Sequence, residues 1–166
     1  MKIIIILLFL IGFNTFAHTQ LVENKSFNVM LKTLLSHNVK ELGVKEESID
    51  SNTLFLDARE YLEYNVSHLK NSVWVGYNDF EISRVKNIAK NKKIVVYCSV
   101  GYRSEKITEK LIKAGYTNIF NMVGGIFEWK NQNNIVVDNT GSETQKIHAY
   151  SKTWGVWLNK GIKVYK

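Results

Sequence analysis

The residues best placed to do chemistry lie in one stretch, "YCSVGYRSEK", residues 97–106, which holds the single cysteine of the 166-residue chain. Cys98 follows an apolar run, Ile94-Val95-Val96-Tyr97, and precedes a polar turn containing Gly101, Arg103 and Ser104. A turn that leaves a buried strand and enters a helix presents successive backbone N–H groups as a nest, and the helix N-terminus adds partial positive charge. A sulfur at the base of such a turn is surrounded by donors, which favours the thiolate. Gly101 lets the loop tighten, Arg103 adds a full positive charge able to bind an oxyanion, and Ser104 is expected to cap the helix. Residues 98–104 together form an anion-holding cradle with a nucleophile at its base. Disulfide-exchange chemistry normally uses a second, resolving thiol, and none is present. Cysteine phosphatases and arsenate reductases combine Cys and Arg with five residues between them, whereas four intervene here.

The elements around the loop define how it is held. "LFL" (54–56) reads as a buried strand delivering Asp57 and Arg59 at its tip, "SVWVG" (72–76) as a second strand and "KIVVYC" as a third. "SEKITEKLIKAGY" reads as a helix with Ile107, Leu111 and Ile112 on one face and Gly115 past its end. "EYLEY" gives one or two helical turns. "DFEISRVKNIAKN" has helical spacing at 80, 82, 85, 88 and 89. "NIFNMVGG" is a further strand, followed by a short helix, "IFEWKN". Strands alternate with helices, so the expected class is α/β with a mainly parallel central sheet and helices on both faces. Ligands in such sheets bind beyond the carboxyl ends of the strands, where Asp57 and Cys98 both stand.

Three segments in order resemble the rhodanese family of sulfurtransferases. "CSVGYRS" is similar to its C-x-x-G-x-R-[ST] loop, "LDAREYLEYNVSHL" to its D-x-R-x-x-x-E-[FY]-x-x-x-H segment, and "VGGIFEWKN" to its G-G-x-x-x-W segment. The resemblance implies a rhodanese-like fold over residues 39–131. It implies that Cys98 attacks the outer sulfur of a donor such as thiosulfate or polysulfide, becoming a persulfide that a thiol or cyanide discharges. The N–H groups of Ser99, Val100, Gly101, Tyr102, Arg103 and Ser104 would stabilise the persulfide anion. Arg103, with Lys106, would receive the small anionic donor, and Asp57 and Arg59 would support the loop by charge pairing. His68 falls where the family has its His and is read as structural. No cofactor and no metal are implied. The alternative within the family is a non-catalytic binding module, against which the retention of Cys98, Gly101 and Arg103 argues.

Composition bounds the rest. A hydrophobic fraction of 45% and charged fraction of 22% suit a globular domain with a substantial core. The net charge of +7 comes mostly from scattered Lys, without the run of like charges that would make a nucleic-acid arm, so no nucleic-acid partner is expected. The four His (18, 37, 68, 148) lack metal-ligand spacing. Residues 1–17, a Lys followed by the apolar run Ile3–Phe13 and then "NTFA", read as a signal peptide cleaved before His18. The expectation is therefore an exported protein, periplasmic or secreted, that meets the membrane only if the signal is uncleaved. Residues 18–38 read as an N-terminal helical extension, with Ser26 capping "SFNVMLKTLL". Residues 132–166 form a C-terminal extension, in which Trp154 and Trp157 are expected to cover an apolar face or else to edge the site mouth. Oligomeric state is left open.

Overall fold

The computed structural model describes residues 20–45 and 49–166. The signal-peptide reading of residues 1–17 lies outside them. Five strands form one parallel sheet in the order β1-β5-β4-β2-β3: β1 (Glu41–Leu42), β2 (Leu54–Asp57), β3 (Val73–Trp74), β4 (Ile94–Tyr97) and β5 (Ile119–Met122). The two-residue β1 is too short to leave a pattern in the sequence. Parallel strands need crossovers, and two of these carry the helices α2 (Tyr61–Val66) and α3 (Tyr102–Lys113), while α4 (Gly125–Asn131) follows the last strand, β5. A fourth helix, α1 (Lys25–Leu34), precedes the sheet.

β4 occupies the centre and all four of its residues are fully buried. Its alternation divides the core. Val95 and Tyr97 face a layer with Phe27 and Leu31 of α1 and Ile126 and Phe127 of α4. Ile94, Val96 and Cys98 face a layer with Ile107 and Leu111 of α3 and with Val75 and Val85. The sulfur thus begins the loop on the α3 side of the sheet.

Three local expectations are corrected. α1 is capped by Asn24, whose side chain accepts from the Phe27 N–H at 3.0 Å, and Ser26 lies inside the helix. α3 begins behind Gly101, whose φ of +123° places it outside the region open to other residues, so Ser104 sits in the first turn and is not the cap. Residues 80–89 form only one 3₁₀ turn, Ile82–Val85. Glu81 makes no side-chain cap there, Ile82 faces solvent, and Arg84 reaches away to the Val75 carbonyl (2.7 Å) and Asp79 (2.8 Å) over the Trp74 ring.

The C-terminal extension is structured. β6 (Val136–Val137) pairs antiparallel with β7 (Glu143–Thr144). β8 (Lys146–His148) pairs parallel with β9 (Ile162–Val164), and a short helix, α5 (Lys152–Gly155), lies between them. Ile147, Ala149 and Leu158 are fully buried in the α1/α4 layer. Asn131 at the end of α4 ties the segment down, donating to the Trp157 carbonyl (2.9 Å) and accepting from the N–H groups of Asn159 (2.7 Å) and Lys160 (3.2 Å). Both extensions meet where Trp157 stacks on Phe27, with centroids 5.2 Å apart. α1 is held from the other side: the buried carboxylate of Glu105 accepts from the N–H groups of Ser36 (3.0 Å) and His37 (2.8 Å).

Candidate active site

The Cys98 loop is shaped by the start of α4. The carbonyls of Cys98, Ser99 and Val100 accept from the N–H groups of Ile126 (2.9 Å), Phe127 (3.2 Å) and Gly124 (3.0 Å). In a trans peptide the C=O of one residue and the N–H of the next point oppositely. With three carbonyls turned toward α4, the N–H groups of Ser99, Val100 and Gly101 turn the other way. The Gly101 N–H reaches the sulfur at 3.2 Å. This close approach explains the paired glycines 124 and 125: a side chain on Gly125, which has φ +51°, would press into the Cys98 carbonyl oxygen and lie 2.8 Å from Ser99 backbone atoms.

The Ser104 hydroxyl stands under the sulfur, 3.5 Å from Cys98 Sγ, 3.0 Å from the Gly101 carbonyl and 2.7 Å from Asn121 Oδ1. Its one proton can serve only one of these at a time, and the Asn121 contact is the shortest. The Asn121 Nδ2 is buried without a partner. Ser104 thus links the loop to β5.

Arg103 differs from expectation. Its guanidinium makes a two-pronged pair with Glu63 of α2, Nη1 to Oε2 at 2.6 Å and Nη2 to Oε1 at 2.8 Å, and also donates to Ser99 Oγ at 3.0 Å. Ser99 Oγ in turn donates to Glu63 (3.1 Å), which also accepts from the Glu60 N–H (3.1 Å). Burial works to raise the Glu63 carboxyl, but the hydrogen bonds and charge of Arg103, backed by Arg59, hold it below the ordinary Glu range. Burial likewise works against the Arg103 cation, and Glu63 with Cys98 more than restores it. Arg103 is therefore a strut between α2 and the loop, with its charge already answered, instead of an open anion receptor. Glu63 stands in the D-x-R-x-x-x-E segment, yet nothing in the sequence reveals that it meets Arg103.

Asp57 and Arg59 are fully buried and pair with each other, Nη2 to Oδ2 at 2.6 Å and Nε to Oδ1 at 3.0 Å. Arg59 also donates to the Ser67 carbonyl at 2.6 Å, while its Nη1 has no partner. The pair fixes the turn after α2 and reaches Glu63 only through its charge, so it supports the loop at one remove. Lys106 is not in the site: its ammonium is held by Glu109 (2.8 Å), Ser36 (3.0 Å) and Glu105 (3.5 Å). His68 stacks on Tyr64 and exchanges backbone hydrogen bonds with Val137 (2.8 and 2.9 Å), a structural role. Among the described residues no group of three or more His, Cys, Asp or Glu is placed to hold a metal ion.

A cavity of about 350 Å³ opens over Cys98. Its floor is the loop, with Ser99, Val100 and Arg103 beside the sulfur. Its rim is Glu60, Tyr77, Tyr102, Leu34 of α1, and Tyr150 and Trp154 of the C-terminal extension. The two tail tryptophans therefore divide the two expectations, Trp157 covering Phe27 and Trp154 edging the mouth. Tyr150 lies over the Arg103 guanidinium at 5.0 Å and has a left-handed φ of +62°, strained for a bulky residue. Leu34, Tyr77 and Tyr150 lie far from Cys98 in sequence and left no local signal there.

These features agree with what the chain is similar to. Residues 42–132 match the family model of the rhodanese-like domain, so the chain belongs to that family. Its fold is that of solved rhodanese-like structures. The BH2092 protein from Bacillus halodurans superposes with a TM-score of 0.53 at 21% identity, covering 71% of this chain and 88% of that one. The rhodanese-like domain of the Alr3790 protein from Anabaena sp. gives 0.50 at 20% identity, covering 54% and 67%. Among curated proteins, a tRNA uridine(34) hydroxylase from Hamiltonella defensa is 34% identical over 116 residues, 65% of this chain and 31% of the relative. One from Yersinia enterocolitica is 33% identical over 100 residues, 57% and 29%. The chain thus spans under a third of the length of these relatives.

Proposed function

We propose that the protein is a sulfurtransferase in which Cys98 accepts a sulfane sulfur from thiosulfate or polysulfide and passes it to a thiophilic acceptor. The observation that carries this reading is the Cys98 sulfur at the floor of an open cavity, with the Gly101 N–H at 3.2 Å and the neighbouring loop N–H groups turned to its side. In the first half-reaction the Cys98 thiolate attacks the outer sulfur of the donor. A Cys98 S–S bond forms, the donor's S–S bond breaks, and sulfite leaves with the electron pair when the donor is thiosulfate. The persulfide anion then lies among the loop donors, at the N-terminus of the 12-residue α3. Export through residues 1–17 is part of the same proposal, as is the absence of a nucleic-acid partner.

Intact-mass analysis of the chain from His18 onward tests it. Treatment with thiosulfate or polysulfide is expected to add one sulfur atom, lost on adding cyanide and absent in Cys98→Ser. No gain with either donor would overturn it. A second reading follows from the relatives' name, that the same cysteine takes part in oxidising a tRNA uridine. Incubation with tRNA and nucleoside analysis separates the two, since sulfur transfer leaves the uridine unoxidised.

A further inference from the structure

The charge and shape of the cavity say more about the acceptor. Besides Cys98, the residues lining it carry two formal charges, Glu60 and Arg103. Arg103 is neutralised by its two-pronged pair with Glu63 and is covered by the Tyr150 ring. Glu60 has no ion-pair partner among the described residues; its side chain closes a capping box with Glu63 at the start of α2 and meets the Asn78 amide at 3.0 Å. The free charge at the mouth is therefore negative. Around it stand four aromatic rings, Tyr77, Tyr102, Tyr150 and Trp154, with Leu34 completing an apolar wall. Aromatic faces beside a carboxylate favour an ammonium group over an anion at the rim, whereas the anionic donor is answered by the loop N–H groups at the floor. The cavity of about 350 Å³ is also far larger than a transferred sulfur atom requires.

We infer that the acceptor is a small organic thiol bearing an ammonium group, its carbon body held against Trp154 and Tyr150 and its cation facing Glu60. This rests on the sulfur-transfer reading and names the acceptor class for that site. The acceptor thiol gives its proton to the persulfide anion, and the resulting thiolate, R–S⁻, attacks the outer sulfur of Cys98–S–SH. The new bond joins R–S to that sulfur, the Cys98 S–S bond breaks, and its electron pair returns to Cys98 as the thiolate. The organic persulfide R–S–SH leaves, so charge and protons balance without an oxidant or reductant.

The wall that selects this acceptor comes largely from outside the loop. Leu34 belongs to α1, and Tyr150 and Trp154 to the C-terminal extension. The strained backbone of Tyr150, its N–H bonded to His148 Nδ1 at 3.2 Å, shows that the ring is held at the rim against its local preference.

The test is single-turnover discharge of the Cys98 persulfide, loaded with polysulfide and followed by loss of one sulfur mass. Three thiols of similar size serve as probes: cysteamine (cationic), 2-mercaptoethanol (neutral) and mercaptoacetate (anionic). Each rate is divided by that of the same thiol with a small free persulfide, which removes intrinsic nucleophilicity. The expected normalised order is cysteamine, 2-mercaptoethanol, mercaptoacetate, with about tenfold between the extremes. Glu60→Gln is expected to bring that ratio near one, and Trp154→Ala to raise the half-saturating cysteamine concentration several-fold. A flat or reversed order in the wild-type protein, whose persulfide loads normally, overturns the acceptor assignment and leaves sulfur transfer standing. Failure of Cys98 to load with either polysulfide or thiosulfate overturns both.

Discussion

Replacing Glu63 by Gln isolates the contact that joins α2 to the nucleophile loop. The wild-type carboxylate accepts four hydrogen bonds, two from Arg103 (2.6 and 2.8 Å), one from Ser99 Oγ (3.1 Å) and one from the Glu60 N–H (3.1 Å). The glutamine oxygen can keep part of this set, but its NH₂ turns a donor toward guanidinium donors. Removing one partner of a buried pair costs about 3–5 kcal/mol, because the other charge is left unanswered. Here the Glu63 side chain is 3% exposed and that of Arg103 12%, and Arg103 keeps Ser99, so the lower end, about 3 kcal/mol, is expected. For a chain of this size that is a fall in Tm of roughly 6–12 °C. Differential scanning calorimetry reads it directly, with the double variant Glu63→Gln/Arg103→Met recovering much of the loss if the stranded guanidinium is its source. The penalty also has a pH signature. The folded Glu63 carboxyl lies below its ordinary value, so its contribution is complete above the unfolded value and disappears as pH falls through the folded one. The wild-type and variant melting curves should therefore converge in acid. A Tm change under about 2 °C at pH 7, or a penalty that grows on acidification, would refute the strut.

Gly125→Ala should displace the loop, since the added Cβ meets Cys98 and Ser99 backbone at a φ of +51°. Persulfide formation should fall by roughly 100-fold, as expected for a shift of about 1 Å at a reacting group, while circular dichroism keeps the α/β signature; a rate within threefold of wild type would sink this account of the glycine pair. Burial, then the charges of Arg59 and Arg103, lower the pKa of His148 against the pull of Glu63. The neutral ring thus stabilises the packing of β8 on α2 above its ordinary value near 6.5, and that stability is lost as pH falls through the depressed folded value. Limited proteolysis of the C-terminal extension should accelerate as pH falls below the ordinary His range in the wild type and show no such step in His148→Gln.

The parts of the molecule that could be read in advance are those whose information is local. Four apolar residues before Cys98 define a central strand, and the Ile107 and Leu111 face with Gly115 past its end defines the helix behind it, although the sequence misplaces the cap at Ser104. The paired glycines that open α4 belong with these. Failures came where a remote partner decides. Arg103 looks like an anion receptor from its position in the loop, and only the meeting with Glu63, 40 residues earlier, turns it into a strut. Lys106 points to Ser36 and Glu109 because the turn after α1 is tied to the first turn of α3 through Glu105. Residues 80–89 carry helical spacing, but Arg84 has better partners across the strand end than along a helix. The rim is foreseen only as one of two roles open to the tail tryptophans. Tyr150 and Trp154 lie in a stretch without periodicity, brought to Cys98 by β8, α5 and the burial of Ile147 and Leu158.

That last arrangement separates two kinds of heritable change. The nucleophile, its amide donors and the glycine pair that orients them all fall within residues 42–132, whereas half of the surrounding aromatic rings belong to a tail beyond that span. Under the sulfur-transfer proposal, substitutions in the tail can retune which molecules are admitted without touching the step that makes or breaks the S–S bond. Two chains with the same seven-residue loop can then diverge in diet while agreeing in chemistry, and the place to look for the divergence is downstream of the last family motif.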